Sequence, residues 1–171
     1  ICPRGNGAGS SFLRSDCVTA IPFPFTYDTV ELHQMSTTHG RTITDTDITF
    51  YMMLTGGWHP VHCDRDFMKK AGLGAVRAQG SFGIAVSLGS HLESSVLEGS
   101  DEFVRAMGVE KWEYLRPLVS GDTFHLEVEI VGKDLQENGR DYVISREIRM
   151  INQNGDMLQR GIAQSMWRRE A

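Results

Sequence analysis

Two histidines, His59 and His62, flank Pro60 just after the glycine pair Gly56-Gly57, and a second glycine-marked stretch, Gln79-Gly80-Ser81, opens a long apolar run. An imidazole changes protonation nearest neutrality, so a histidine held in a fixed loop can take a proton from water and return it. The backbone N–H of Gly80 is the complementary element. At the start of a helix it has no intrahelical acceptor, and it lies along the helix dipole, where it stabilises a developing oxyanion. The pair makes an acid/base group plus an oxyanion donor.

Competing chemistries are weaker. His59-x-x-His62-Cys63 has metal-like spacing, but no further ligand set follows, so no metal is expected. Cys63 beside His62 suggests a thiol nucleophile, yet neighbouring residues on extended chain point opposite ways. Glu93 and Glu98 come late in the apolar run that Gly80 opens, so carboxylate-based hydrolysis is a minor reading.

The elements that must position these residues follow from periodicity. Thr44 with Asp47 three residues on reads as a capping box for a helix that runs to Leu54 and turns Ile48, Tyr51, Met52 and Thr55 inward. Pro60 biases its predecessor away from helix, which predicts a short irregular segment for His59 and His62. Arg65 to Ala71 reads as a short helix closed by Gly72, with Asp64 as its cap or turn acceptor. Ser81 to Leu97 is the long helix, with Phe82, Ala85, Val86, Gly89, Leu92 and Val96 at helical spacing. Gly83 and Gly89 inside it each cost about 1 kcal/mol relative to Ala, which predicts a close neighbour at both.

The second half changes period. Phe124 to Ile130 alternates strictly, as do parts of Tyr142 to Ile151, and turn residues sit at Gln136-Glu137-Asn138-Gly139 and Gln153-Asn154-Gly155-Asp156. Val109 to Leu115 and Met157 to Trp167 complete the strands, with an additional strand or edge segment between Tyr27 and Met35. Helices followed by a meander of antiparallel strands predict an α+β fold with the long helix lying across a curled sheet.

Three separated motifs, His59-Pro60-Val61-His62-Cys63-Asp64, Ala78-Gln79-Gly80 and Tyr114 to Thr123, resemble in order and spacing those of the MaoC-like dehydratases, the (R)-specific enoyl-CoA hydratases. The resemblance covers roughly Gly40 to Arg168. It implies a single hotdog, a curled antiparallel sheet wrapped around a long central helix, that pairs with a second copy as a homodimer or higher oligomer. It also implies water addition to, or removal from, an enoyl/3-hydroxyacyl thioester of CoA or an acyl carrier. His62 would then be the principal acid/base, the Gly80 N–H the carbonyl polariser, and His59 a water or loop positioner. Candidate substrate-contacting positions are Gly57, Asp64, Gln79, Ser81, Ser87 and Arg77. No cofactor is needed beyond the CoA or phosphopantetheine of the substrate itself. The sequence departs from the family at Gly57, where an Asp normally stands five residues before the motif His. His59, Asp64, Asp66 or a partner carboxylate are the substitutes; otherwise the chain is an acyl-thioester binder or a lyase or isomerase that reuses the pocket.

Composition agrees with such a protein. The chain has 171 residues, 40% of them hydrophobic, enough for one domain with a real core. With 17 basic and 22 acidic residues and no long cationic run, nucleic acid is not an expected partner. Arg65, Lys69, Lys70 and Arg77 are the cations available to CoA phosphates, or form a solvated helix face. Cys2, Cys17 and Cys63 show no disulfide or zinc pattern, which suggests a reducing, cytoplasmic setting. No apolar run reaches the roughly 18 residues that span a bilayer. Residues 1–25, rich in Gly, Ser and Pro, read as an irregular extension before a domain at 26–171.

Overall fold

The computed structural model describes residues 26–95 and 101–169, with side chains excluded over 91–95. The extension at 1–25, with Cys2 and Cys17, and the helix positions Val96 and Leu97 lie outside the described residues, as does Glu98.

In chain order the elements are β1 (Met35–Thr37), β2 (Arg41–Thr42), α1 (Asp45–Thr55), α2 (Pro60–Cys63), α3 (Arg65–Lys70), α4 (Gly80–Ser95), β3 (Glu102–Tyr114), β4 (Thr123–Leu135), β5 (Asp141–Asn152) and β6 (Met157–Arg168). All pairings are antiparallel in one sheet ordered β1-β4-β5-β6-β3, with β2 also pairing β4. The tight turns at 136–140 and 153–156 put β4, β5 and β6 side by side. Extra residues in β4, at the register shift between Ile130 and Gly132, and at three places along β3 bend and twist the strands, which curls the sheet.

The strict alternation in β4 is realised. Phe124, Leu126, Val128 and Ile130 are buried, while His125, Glu127 and Glu129 are only partly covered. Each fully buried side chain of this kind contributes about 1.5–3 kcal/mol, so this face strongly specifies the register. The principal core joins Phe124, Leu126 and Val128 to Ile148, Met150, Leu158 and Ala163 of the sheet and to Phe82 and Val86 of α4, while Ile130 packs in a second cluster with Val30, Tyr142, Ile144 and Trp167. The long helix therefore lies on the concave face of the sheet.

Three inward assignments on the helices are corrected. Ala85 and Gly89 face outward, and the buried stripe of α4 is Phe82, Gly83, Val86 and Ser87. A side chain at Gly89 would meet nothing within 4 Å, whereas one at Gly83 would collide with Gln159. In α1, Ile48 and Met52 are buried but Thr55 is exposed, because the helix reaches the rim of the core there. Residues 27–33 make turns in place of a strand, held by the backbone N–H of Tyr27 on Asp101 and by edge packing of Tyr27 on Tyr142.

The helix ends follow local chemistry. The Thr44 hydroxyl accepts from Asp47 N at 3.2 Å while Asp47 Oδ2 accepts from Thr44 N at 2.8 Å, closing the capping box. Gly56, at φ 71°, ends α1 in the left-handed conformation and donates to Met52 O. Among the described residues no helix is long and apolar enough to cross a membrane.

Candidate active site

His62 does not sit on irregular chain. Pro60 takes the first position of α2, where its missing N–H costs nothing, so the segment winds into a short helix with His62 in its last turn. His59 is the residue before it and caps it, its Nδ1 accepting from Val61 N at 3.3 Å. The His59 ring lies 6.3 Å from that of His62 between centroids, is exposed, and forms no part of the cleft wall described below. Asp64 caps α3 by accepting from Phe67 N at 2.8 Å, the local role its type favours.

The extended segment Arg77-Ala78 joins the three sequence motifs. Arg77 N donates to Val61 O at 3.0 Å, Ala78 N donates to Leu118 O at 2.8 Å, and Arg77 pairs with Val119 in a bridge. His62 Nδ1 lies 2.6 Å from Arg77 O. A carbonyl only accepts, so Nδ1 carries the hydrogen and, in the neutral ring, Nε2 keeps its lone pair. This is the tautomer a general base needs.

His62 and Gly80 face one cleft of about 620 Å³, walled also by Arg77, Ser81, Tyr114 and Arg116. Gly80 begins the 16-residue helix α4, and no carbonyl takes its N–H among the described residues. The Tyr114 ring packs where a side chain at Gly80 would go, 2.8 Å from an added Cβ, so glycine is required for that approach. Arg77 has no carboxylate within ion-pairing distance among the described residues, and its buried Nε lacks a hydrogen-bond partner. Arg116 is paired with Asp156 at 2.9 Å. Two guanidinium groups thus stand at the cleft, suited to an anionic group. Arg65 and Lys70 instead pair with Asp45 and Asp66 on exposed helix surface.

The remaining expected positions divide. Ser81 is exposed and lines the cleft; Ser87 is fully buried beneath α4 with its hydroxyl unbonded, apart from the cleft wall. Gln79 turns away to the α1 terminus. Its Nε2 donates to Gly57 O at 2.9 Å and its Oε1 accepts from Thr55 Oγ1 at 3.2 Å. The amide fills the space beside Gly57, 2.0 Å from where a Cβ would stand. Among the described residues no group of three or more His, Cys, Asp and Glu could hold a metal ion.

Sequence reasoning missed three residues of this cleft. Tyr114 and Arg116 lay inside a recognised motif but carried no assigned role. Gln159 had no motif; its one signal was a polar residue at an inward position of β6.

A profile of the MaoC like domain matches residues 29–149. No curated protein sequence matched the chain. Among solved structures, a monoamine oxidase regulatory protein from Archaeoglobus fulgius is 26% identical, covering 86% of this chain and 97% of its own, with a TM-score of 0.76. The R-hydratase PhaJ1 from Pseudomonas aeruginosa is 23% identical over 85% of this chain and 86% of its own, with a TM-score of 0.65. A Mycobacterium tuberculosis protein with a double hotdog fold, Rv0216, matches 85% of this chain with 44% of its own, at 14% identity and a TM-score of 0.72. The fold is thus a hotdog, and with the family profile spanning most of the chain, the protein belongs to the MaoC-like family.

Proposed function

We propose that the protein is a hydratase/dehydratase acting at the 2,3 position of an enoyl/3-hydroxyacyl thioester carried on CoA or an acyl carrier. The observation that carries this reading is His62 and the free Gly80 N–H facing one cleft, with His62 Nδ1 fixed on Arg77 O. In the hydration direction His62 Nε2 takes a proton from water as the oxygen bonds to C3. The π pair of the C2–C3 double bond moves toward the thioester carbonyl, whose oxygen gains charge against the Gly80 N–H and the α4 dipole. The imidazolium then returns the proton to C2, so one water is added and the ring is regenerated. The reaction is redox-neutral and needs no metal or redox cofactor. Arg77 and Arg116 would meet phosphate groups of the carrier.

The chain is also proposed to work as a homodimer. The edge strand β3 carries the exposed apolar residues Phe103, Met107 and Val109, and a double hotdog in a structural neighbour supports such pairing.

A second reading has one observation in its favour. Where the resemblance places an Asp, Gly57 is covered by the Gln79 amide, which has no proton to give at neutral pH. An acyl-thioester binder without hydratase turnover fits that arrangement. Steady-state hydration of crotonyl-CoA by the purified chain separates the two. The hydratase reading expects turnover that falls by about 10²–10⁴-fold in His62→Ala. Turnover insensitive to His62→Ala sinks it, and absence of turnover with retained butyryl-CoA binding selects the binder.

A further inference from the structure

Gln159 is 2% exposed and lines the cleft shared by His62 and Gly80. It stands on the face of β6 that looks toward α4, where its neighbours are small or apolar. Burying a primary amide is unfavourable by several kcal/mol unless its hydrogen bonds are made, so a buried glutamine in such surroundings calls for a partner.

Half of that need is met in a way that fixes the orientation of the amide. Trp112 Nε1 lies 2.9 Å from Gln159 Oε1. An indole N–H only donates, so the atom facing it must be the oxygen, and the amide cannot be turned round without losing this bond. Nε2 is thereby directed away from Trp112, and no acceptor among the described residues takes either of its N–H bonds. The whole amide lies against Gly83, where an added Cβ would be 2.2 Å from Nε2 and 2.4 Å from both Cδ and Oε1. Gly83 is three residues after Gly80 on α4, about 4.5 Å along the helix axis. The cleft therefore carries two fixed donors in a row under one helix, the Gly80 N–H and the Gln159 amide.

We propose that Gln159 is a substrate-contacting residue whose Nε2 donates to the oxygen on C3 of a 3-hydroxyacyl thioester, the same oxygen that enters as water during hydration. This rests on the hydratase reading of the cleft: with the thioester oxygen on Gly80, C3 lies two bonds beyond C1, next along α4. The amide transfers no proton. It holds the oxygen on the line between His62 and C3 while His62 exchanges the proton. Trp112 acts through Gln159 as a positioning residue, and Gly83 leaves the room.

The test is equilibrium binding, in a His62→Ala background that stops turnover, of 3-hydroxybutyryl-CoA and of butyryl-CoA, which lacks the C3 oxygen. The parent is expected to bind the hydroxy compound about tenfold more tightly, the worth of one buried neutral hydrogen bond. Added Gln159→Leu should bring the ratio to about one, and added Trp112→Phe should shrink it. Gln159→Glu supplies a readout that a packing role would not move. Its carboxylate can accept from Trp112 but cannot donate, so discrimination is absent at neutral pH and returns as the pH is lowered and the carboxyl regains a hydrogen. If Gln159→Leu does not fold, the Glu and Trp112→Phe variants decide. Equal binding of both ligands by the parent, or a ratio unchanged by these substitutions, overturns the role of Gln159 while leaving an acyl-thioester site in place. Failure of both thioesters to bind overturns the reading of the cleft and this proposal with it.

Discussion

Gly57→Ala is expected to destabilise the protein, and to do so only while Gln79 is present. Gly57 is not among the glycines with positive φ, so alanine fits its backbone and by itself would stabilise by about 0.4–1 kcal/mol through the unfolded chain. The obstacle is the Gln79 amide, whose Nε2, Cδ and Oε1 would lie 2.0, 2.9 and 3.2 Å from the new Cβ. An amide at the end of a flexible side chain can swing away, but doing so breaks its bonds to Gly57 O and Thr55 Oγ1. At about 0.5–1.5 kcal/mol each, and toward the low end for a half-exposed site, the loss is about 1–2 kcal/mol. The net change in the natural chain is then about 1 kcal/mol destabilising, or a Tm lower by about 2–4 °C. In a Gln79→Ala background the same substitution should be neutral to stabilising, so the two positions should couple by about 1–2 kcal/mol. Urea unfolding of the four proteins, followed by tryptophan fluorescence, measures this directly if the m-values agree. The same cost for Gly57→Ala in both backgrounds would refute the argument that the Gln79 side chain occupies the space beside Gly57.

Gly161→Ala should cost about 1–3 kcal/mol, because its Cβ would lie 2.2 Å from Trp112 Cε3 and 3.1 Å from the Trp112 Cα, so ring and strand β3 both resist. Unfolding midpoints check this, and an unchanged midpoint would mean that β3 yields freely. At low pH, stability should fall with a contribution from Glu129, whose carboxyl is held below its ordinary value by the hydrogen bond from His33 and, after the opposing effect of burial, by Arg149. A carboxylate lowered on folding contributes fully above its unfolded pKa of about 4.3 and loses that contribution as the pH falls through the folded value. Glu129→Gln should flatten the decline between about pH 5 and 3, and an equally steep decline in the variant would contradict the ion-pair account.

Much of this protein is decided by local sequence. The Thr44/Asp47 capping box, the Gly56 and Gly72 helix stops, the turn residues at 136–139 and 153–156 and the alternation of β4 act over a few neighbours, so element types and the α+β class could be read directly. The three motifs also carried His62 and Gly80, since their chemistry depends on short stretches of fixed spacing. What only the tertiary structure decided involves partners far apart in the chain. That Gln79 covers Gly57, that Tyr114 packs on Gly80, and that Trp112 turns the Gln159 amide beneath Gly83 are contacts between residues 22 to 76 positions apart, set by how α4 lies on the sheet. Helical periodicity likewise offered Ala85 and Gly89 as readily as Gly83 and Ser87, and the sheet chose between them because only one stripe of α4 can face the concave side.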